Sequence, residues 1–422
     1  MVDIKSLVVL GDSMSDIGNK WTWPTGELGR LVRAMRVNET GRFSDGKNWT
    51  DFLVEWATGE ALLWGNRDLA IRKSTDHRTL TSYSTLEVNA WGGSLAAKPP
   101  VDLDQYLKFR AEEQKRPPSA TPARVRYVNY AMGGCIVTTD WAPKFGALTY
   151  LRGQVEDYLV QRDLMGSAFG GATLHVIWAG LNDFVTAGRP DYDPKTTPSS
   201  DQYGDWAAWA QKDPARLVKG VGAFPAVAEI KSLVELINSR FPTAKDDHHF
   251  LVIDLPSVYH AIRYMEGLGE PSKIEEAKRV DPVVRRYDTL LARLVEDWPQ
   301  TQDAPAPGHV HLVRMSRWMD YVSENLDTWK LSKLAQDRGV RPFYNPGVPP
   351  EPKQDPVSAD MRRRITTSDL AHPTEAVYAL MARYVVARLL SEGYTLGRLS
   401  PGTWAENAPF KDLPFDAPSY SL

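Results

Sequence analysis

Three apolar residues, Val8-Val9-Leu10, run without a break into Gly11-Asp12-Ser13, and small and polar residues continue through Met14-Ser15-Asp16-Ile17-Gly18-Asn19. An uninterrupted apolar run of this length reads as a strand covered on both faces, the situation of a parallel sheet sandwiched by helices. A tight turn that ends such a strand and opens a helix leaves its serine exposed at the sheet edge. There the hydroxyl can be presented to an acyl carbon.

The rest of the chain supplies the partners that such a sheet needs. Short runs rich in β-branched and aromatic residues predict strands at Leu7–Leu10, Arg124–Tyr130, Leu174–Ala179, Phe250–Leu255 and Val310–Met315. Between them lie stretches with helical character: Lys47–Ala57, Gly153–Arg162, Pro225–Asn238, Pro282–Asp297 and Thr374–Glu392. Pro225 and Pro282 suit a first helical position, where a missing N–H costs little. Pro373-Thr374-Glu375 reads as a helix start. Strands alternating with helices predict an α/β fold with a parallel sheet, a single domain over residues 1–422. Three long segments exceed what a minimal α/β sandwich needs: 62–123, 186–224 and 317–367. They are expected to be insertions that form a cap or substrate cleft over one edge of the sheet, or else surface and oligomer contacts.

Charge narrows the range of functions. The chain carries 50 Lys and Arg against 53 Asp and Glu, a formal net charge of −3. That balance excludes a mainly nucleic-acid-binding role, which needs a basic surface. No apolar run is long enough for a transmembrane segment. The first strand starts a few residues from Met1, leaving no room for a cleavable signal peptide, so the chain is expected to be cytoplasmic or exported without one. Cys135, the single cysteine, has two readings: a reactive thiol beside the site, or a small buried apolar side chain. Folding does not depend on an internal disulfide.

Four segments fall where predicted strands end or the last helix begins: Gly11-Asp12-Ser13, Asn129-Tyr130-Ala131-Met132-Gly133-Gly134, Gly180-Leu181-Asn182-Asp183 and Asp369-Leu370-Ala371-His372-Pro373. In an open parallel sheet the carboxyl ends of the strands form the ligand crevice. Segments hundreds of residues apart are therefore expected to converge. Ser13 is the candidate nucleophile, His372 its base, and Asp369, three residues earlier, the orienter of that base. The amides of Ser13 and Gly134 and the side chain of Asn182 are candidates for an oxyanion hole. Gly133 is the alternative to Gly134, and Asp183 the alternative to Asp369. Asp183 is expected to hold loop backbone, and Asp12 to bond the amides of its turn.

These blocks resemble those of the GDSL or SGNH hydrolases. The extended first block through Gly18-Asn19, the Gly41-Arg42-Phe43-Ser44-Asp45-Gly46 and Trp49 segment, and Val176-Ile177-Trp178-Ala179-Gly180 resemble the lipase, haemolysin and acyltransferase branch. The resemblance implies a three-layer α/β/α sandwich with a mostly parallel five-stranded sheet of flavodoxin-like order. It implies a triad of Ser13, Asp369 and His372, with Ser13, Gly134 and Asn182 as the oxyanion hole. Met14 and Cys135 stand where Leu and Ala are more usual in the family, and Thr366-Thr367-Ser368 replaces an aromatic-led segment before Asp369. The expected function is hydrolysis of a small-molecule or lipid ester through an acyl-enzyme, without metal or organic cofactor. The alternatives are an acyltransferase that passes the same acyl group to an alcohol, and a non-catalytic binding protein on the same fold.

The remaining candidates carry no motif. His248-His249 is expected in a loop before a strand, without a third metal ligand at useful spacing. His309 and His311 flank the start of a strand as surface and packing residues, His175 is packed inside one, and His77 and His260 stand alone. Arg362-Arg363-Arg364 reads as a solvated charged stretch that could also steer an anionic group. Trp91, Trp141, Trp206, Trp209, Trp318 and Trp329 lie in or near the long segments, to line a pocket or to pack those segments on the core.

Overall fold

The computed structural model describes residues 1–22, 37, 41–44, 47–58, 87–88, 125–139, 148–165, 170–186, 224–241, 247–265, 271–298, 301–326 and 371–400. The chain folds as α/β. The main strands are β2 (Ser6–Gly11), β4 (Arg126–Asn129), β5 (Thr173–Trp178), β6 (His248–Ile253) and β7 (Val310–Val313), with a two-residue edge strand β3 (Glu87–Val88). They form one parallel sheet in the order β3-β4-β2-β5-β6-β7. Without the edge strand this is the flavodoxin order, with β2 at the point where the order reverses. The five main strands are the expected five-stranded parallel sheet, to which β3 adds a two-residue edge. That edge lies within residues 62–123, and its two residues are too few to give a periodicity signal. A separate parallel pair joins β1 (Val2–Ile4) to β8 (Tyr394–Leu396).

Every residue of β2, β5 and β6 is buried, as continuous apolar strands predict. The sheet is covered by α1 (Trp49–Thr58) and α7 (Glu375–Ser391), which pack together, and by a second group, α2 (Leu151–Met165), α4 (Phe224–Arg240) and α5 (Pro271–Glu296). The short α3 (Leu181–Val185) follows β5 directly, and α6 (Met315–Glu324) follows β7. Gly11 closes β2 against β5. A Cβ there would stand 2.4 Å from the carbonyl oxygen of Trp178, so only glycine permits this approach. Gln154 of α2 clamps the same glycine, accepting from its N–H and donating to its carbonyl, both at 2.8 Å.

Two expectations change. Pro282 is not a helix start, because α5 begins eleven residues earlier at Pro271 and carries Pro282 inside it. Pro282 has no N–H to give the Lys278 carbonyl, and both residues lie on the exposed face, where the interruption costs least. Residues 317–326, the described start of the segment 317–367, form most of α6, which packs on the sheet side through Trp318 and Val322. Trp318 is fully buried and stacks on Tyr384 of α7 at 5.5 Å between ring centroids. His248 and His249 lie in β6 itself, not in a loop. The tryptophans at 91, 141, 206, 209 and 329, His77, Arg362-Arg363-Arg364 and nearly all of the three long segments lie outside the described residues. No described helix is long and apolar enough to cross a membrane.

Candidate active site

The first turn is built by two buried carboxylates. Asp12 accepts the Met14 N–H at 3.0 Å. Asp16 accepts the N–H groups of Gly18, Asn19, Lys20 and, across the gap to the second block, Gly133, at 2.6–3.1 Å. Burial pushes Asp12 up to about 7 and Asp16 up to about 6. For Asp12 the Met14 amide and His372 pull the other way, and for Asp16 its amides do. These bonds draw the Ser13 turn and the Gly133-Gly134 turn together. Asn19 reinforces the join by donating its side-chain amide to the carbonyls of Asn129 and Ala131.

A second clamp comes from residues 41–51. Arg42 and Asp51 form a bidentate ion pair at 2.7 and 3.0 Å with both side chains buried, and Arg42 also donates to the Ile17 carbonyl. Trp49 donates its indole N–H to Ser15 Oγ at 3.0 Å. Phe43 is thereby fixed between the two halves of the site. Its ring fills the space a Gly133 side chain would occupy and packs on the His372 ring at 4.9 Å. Tyr378 of α7 donates to the Phe43 carbonyl.

His372 arrives from the far end of the chain, just before α7. Thr374 caps that helix by accepting from the Val377 N–H, so the helix start places the imidazole. His372 Nε2 lies 2.8 Å from Ser13 Oγ, although 359 positions separate the two residues. Asp369 lies outside the described residues.

Gly134 adopts φ +78°, a left-handed conformation natural to glycine, and lines the cavity shared by Ser13 and His372. Among the described residues neither the Ser13 N–H nor the Gly134 N–H donates a hydrogen bond, whereas the Gly133 N–H is taken by Asp16. That difference separates the two adjacent glycines: Gly133 is structural and Gly134 offers a donor. Asn182 opens α3. Thr186 donates to its Oδ1 at 2.9 Å, which sets Nδ2 toward the Cys135 carbonyl at 3.1 Å and Asp12 at 3.4 Å. Asp183 points elsewhere, accepting from the N–H groups of Val137 and Thr138 and from the Thr138 hydroxyl at 2.7–3.0 Å. Cys135 is fully buried and burial pushes its thiol well above the usual range, so it packs as a small apolar side chain.

Ser13, Gly134, Asn182 and His372 line one cavity of about 220 Å³. Its apolar wall comes from Leu181, Val185, Val258, Met319, Val322 and Leu326. The four blocks were visible in the sequence. Residues 319–326 lie within the segment 317–367 expected to form a cleft, but the wall at 256–265 and the role of Phe43 against His372 were not visible, because those residues have no motif and are adjacent only through folding. Among the described residues no cluster of three or more His, Cys, Asp or Glu could hold a metal. The arrangement has a hydroxyl in contact with an imidazole, unpaired backbone donors, an amide donor and an apolar recess. No family model matches the chain, and no curated protein matches it.

Proposed function

We propose that this chain is a serine ester hydrolase of the GDSL or SGNH type, acting on a small-molecule or lipid ester. The observation that carries the reading is the 2.8 Å contact between Ser13 Oγ and His372 Nε2 inside a cavity lined by Gly134 and Asn182. Ser13 Oγ attacks the ester carbonyl carbon while its proton passes to His372 Nε2. The carbonyl oxygen becomes an oxyanion, held by the Ser13 and Gly134 N–H groups and by Asn182 Nδ2. When the tetrahedral intermediate collapses, His372 returns the proton to the departing alcohol and an acyl-Ser13 ester remains. Water, deprotonated by His372, then attacks that ester, and the acid leaves as Ser13 recovers its proton. Asp369 is assigned the stabilisation of the imidazolium.

Labelling with a fluorophosphonate tests this directly. One equivalent is expected on Ser13, with turnover lost in proportion. Label that persists in Ser13→Ala, or a folded protein that neither takes the label nor cleaves short esters, overturns the proposal.

A further inference from the structure

Among the described residues that line the cavity, one arginine has no ion pair. Arg263 belongs to the short 3-10 turn Ile262–Tyr264, next to a similar turn at Val258–His260, and it lines the same cavity as Ser13 and His372. Its guanidinium lies over the Tyr264 ring, 4.8 Å from the centroid, which orients the group and leaves its charge intact. Its Nε is sealed from solvent and meets no acceptor, which folded proteins rarely tolerate without a reason.

The neighbouring cations are all engaged. Arg285 pairs with Asp320 at 2.7 Å and with Asp281 at 3.6 Å. His260 shares Asp320 at 3.0 Å, and Lys273 holds Glu276. Arg263 has no ion pair among the described residues. Among the described residues the cavity lining offers one carboxylate, Asp12, which is occupied with the Met14 amide and with Asn182 and is pushed up to about 7 by burial. A ligand in this space therefore has a guanidinium without an ion pair in its wall, a group whose planar fork matches an oxyanion. The same cavity is lined by the apolar side chains of Leu181, Val258, Met319 and Val322.

Building on the ester-hydrolase reading, we propose that Arg263 anchors an anionic group of the substrate. The substrate class is then an ester whose acyl or alcohol part ends in a carboxylate or phosphate, set off from the scissile bond by a short apolar spacer.

The test compares 4-nitrophenyl hexanoate with the mono-4-nitrophenyl ester of adipic acid and with a phosphonate analogue of the same length. The readout is the ratio of kcat/KM for an anionic ester to that for the neutral one. This ratio is insensitive to any loss of folded protein, so a destabilised variant still reports. For the wild type the ratio is expected to exceed about tenfold, in line with a charge-assisted hydrogen bond, and to fall with added salt. Arg263→Gln brings it close to one, and Arg263→Lys, which keeps the charge and loses the fork, leaves it in between. The better of the two anionic esters identifies the natural group as carboxylate or phosphate. A wild-type ratio near one, or a ratio unchanged in Arg263→Gln, overturns the anchor while leaving the hydrolase in place. Absence of turnover of every ester, with Ser13 unlabelled, overturns the hydrolase reading itself.

Discussion

Histidines occur at both edges of the sheet, and the two edges treat them differently. At the carboxyl edge His372 stands against a serine hydroxyl in an open cavity. At the amino edge five histidines gather around β5, β6 and β7. His175 meets the Tyr158 hydroxyl at 2.9 Å and the His249 carbonyl at 3.1 Å. His249 stacks on His309 at 4.3 Å and shares the Tyr394 hydroxyl with His311, which also pairs with Glu392 at 3.0 Å. His248 packs between His175 and Phe241 with neither ring nitrogen bonded. Burial, aided by neighbouring cationic and imidazole groups, pushes His248 down to about 3 and His249 to about 4. Residue type therefore says little about role. A histidine becomes a base where it meets an exchangeable proton and a substrate-sized space, and becomes packing where it meets rings and carbonyls.

The largest effects test the carboxyl edge. Ser13→Ala or His372→Ala is expected to lower kcat/KM for a short ester by about 10⁴-fold or more, with the melting temperature preserved. His309→Gln, at the other edge, should change the same constant by less than about twofold; a larger loss there would erase the distinction between the edges. Asn182→Ala comes next, at about 10²–10³ in kcat with KM little changed, because its amide is assigned to the transition state rather than the ground state. A fall in affinity alone would remove Asn182 from the oxyanion hole.

Acid should act through the amino edge. An unfolded chain protonates His248 and His249 near pH 6.5, whereas the folded chain holds them neutral down to about 3 and about 4. On these two groups the unfolded state binds more protons below pH 6.5, so the stability they contribute is intact at neutral pH and is lost as pH falls from about 6.5 to about 3, while the raised Asp12 and Asp16 act in the opposite sense. Melting curves of the wild type and of His248→Phe across this range isolate the histidine share: the variant is expected to lose less stability on acidification than the wild type. The smallest effect belongs to Tyr394→Phe, which removes the hydroxyl shared by His249 and His311 and should cost about 1 kcal/mol in urea unfolding with ester turnover unchanged.

Much of this molecule was legible because its signals are local. All five main strands were located from runs such as Val8-Val9-Leu10 and Phe250-Leu251-Val252, where each residue contributes its own burial. β6 was placed two residues late because His248 and His249 look like loop residues until their aromatic neighbours are known. Helix α5 was started too late because Pro282 normally marks a beginning, and nothing local reveals that its missing bond faces solvent. The candidate site was legible for another reason: Gly11-Asp12-Ser13, Gly133-Gly134, Asn182 and His372 each sit at an element boundary with a turn chemistry of their own. The choice between the two glycines needed the structure, since only the Asp16 contact tells them apart.

The sequence by itself determined the α/β class, the strand and turn that carry Ser13 and the four segments that meet at the candidate site. These properties follow from consecutive residues, their apolar runs and their turn preferences. Tertiary structure alone decided which residues surround the reaction. It set Phe43 against His372, brought α6 and the turn carrying Arg263 to the same cavity, and sent five histidines to the opposite edge. Those outcomes depend on how layers pack, and packing joins side chains across hundreds of residues by shape and solvent exclusion, which leave no motif along the chain.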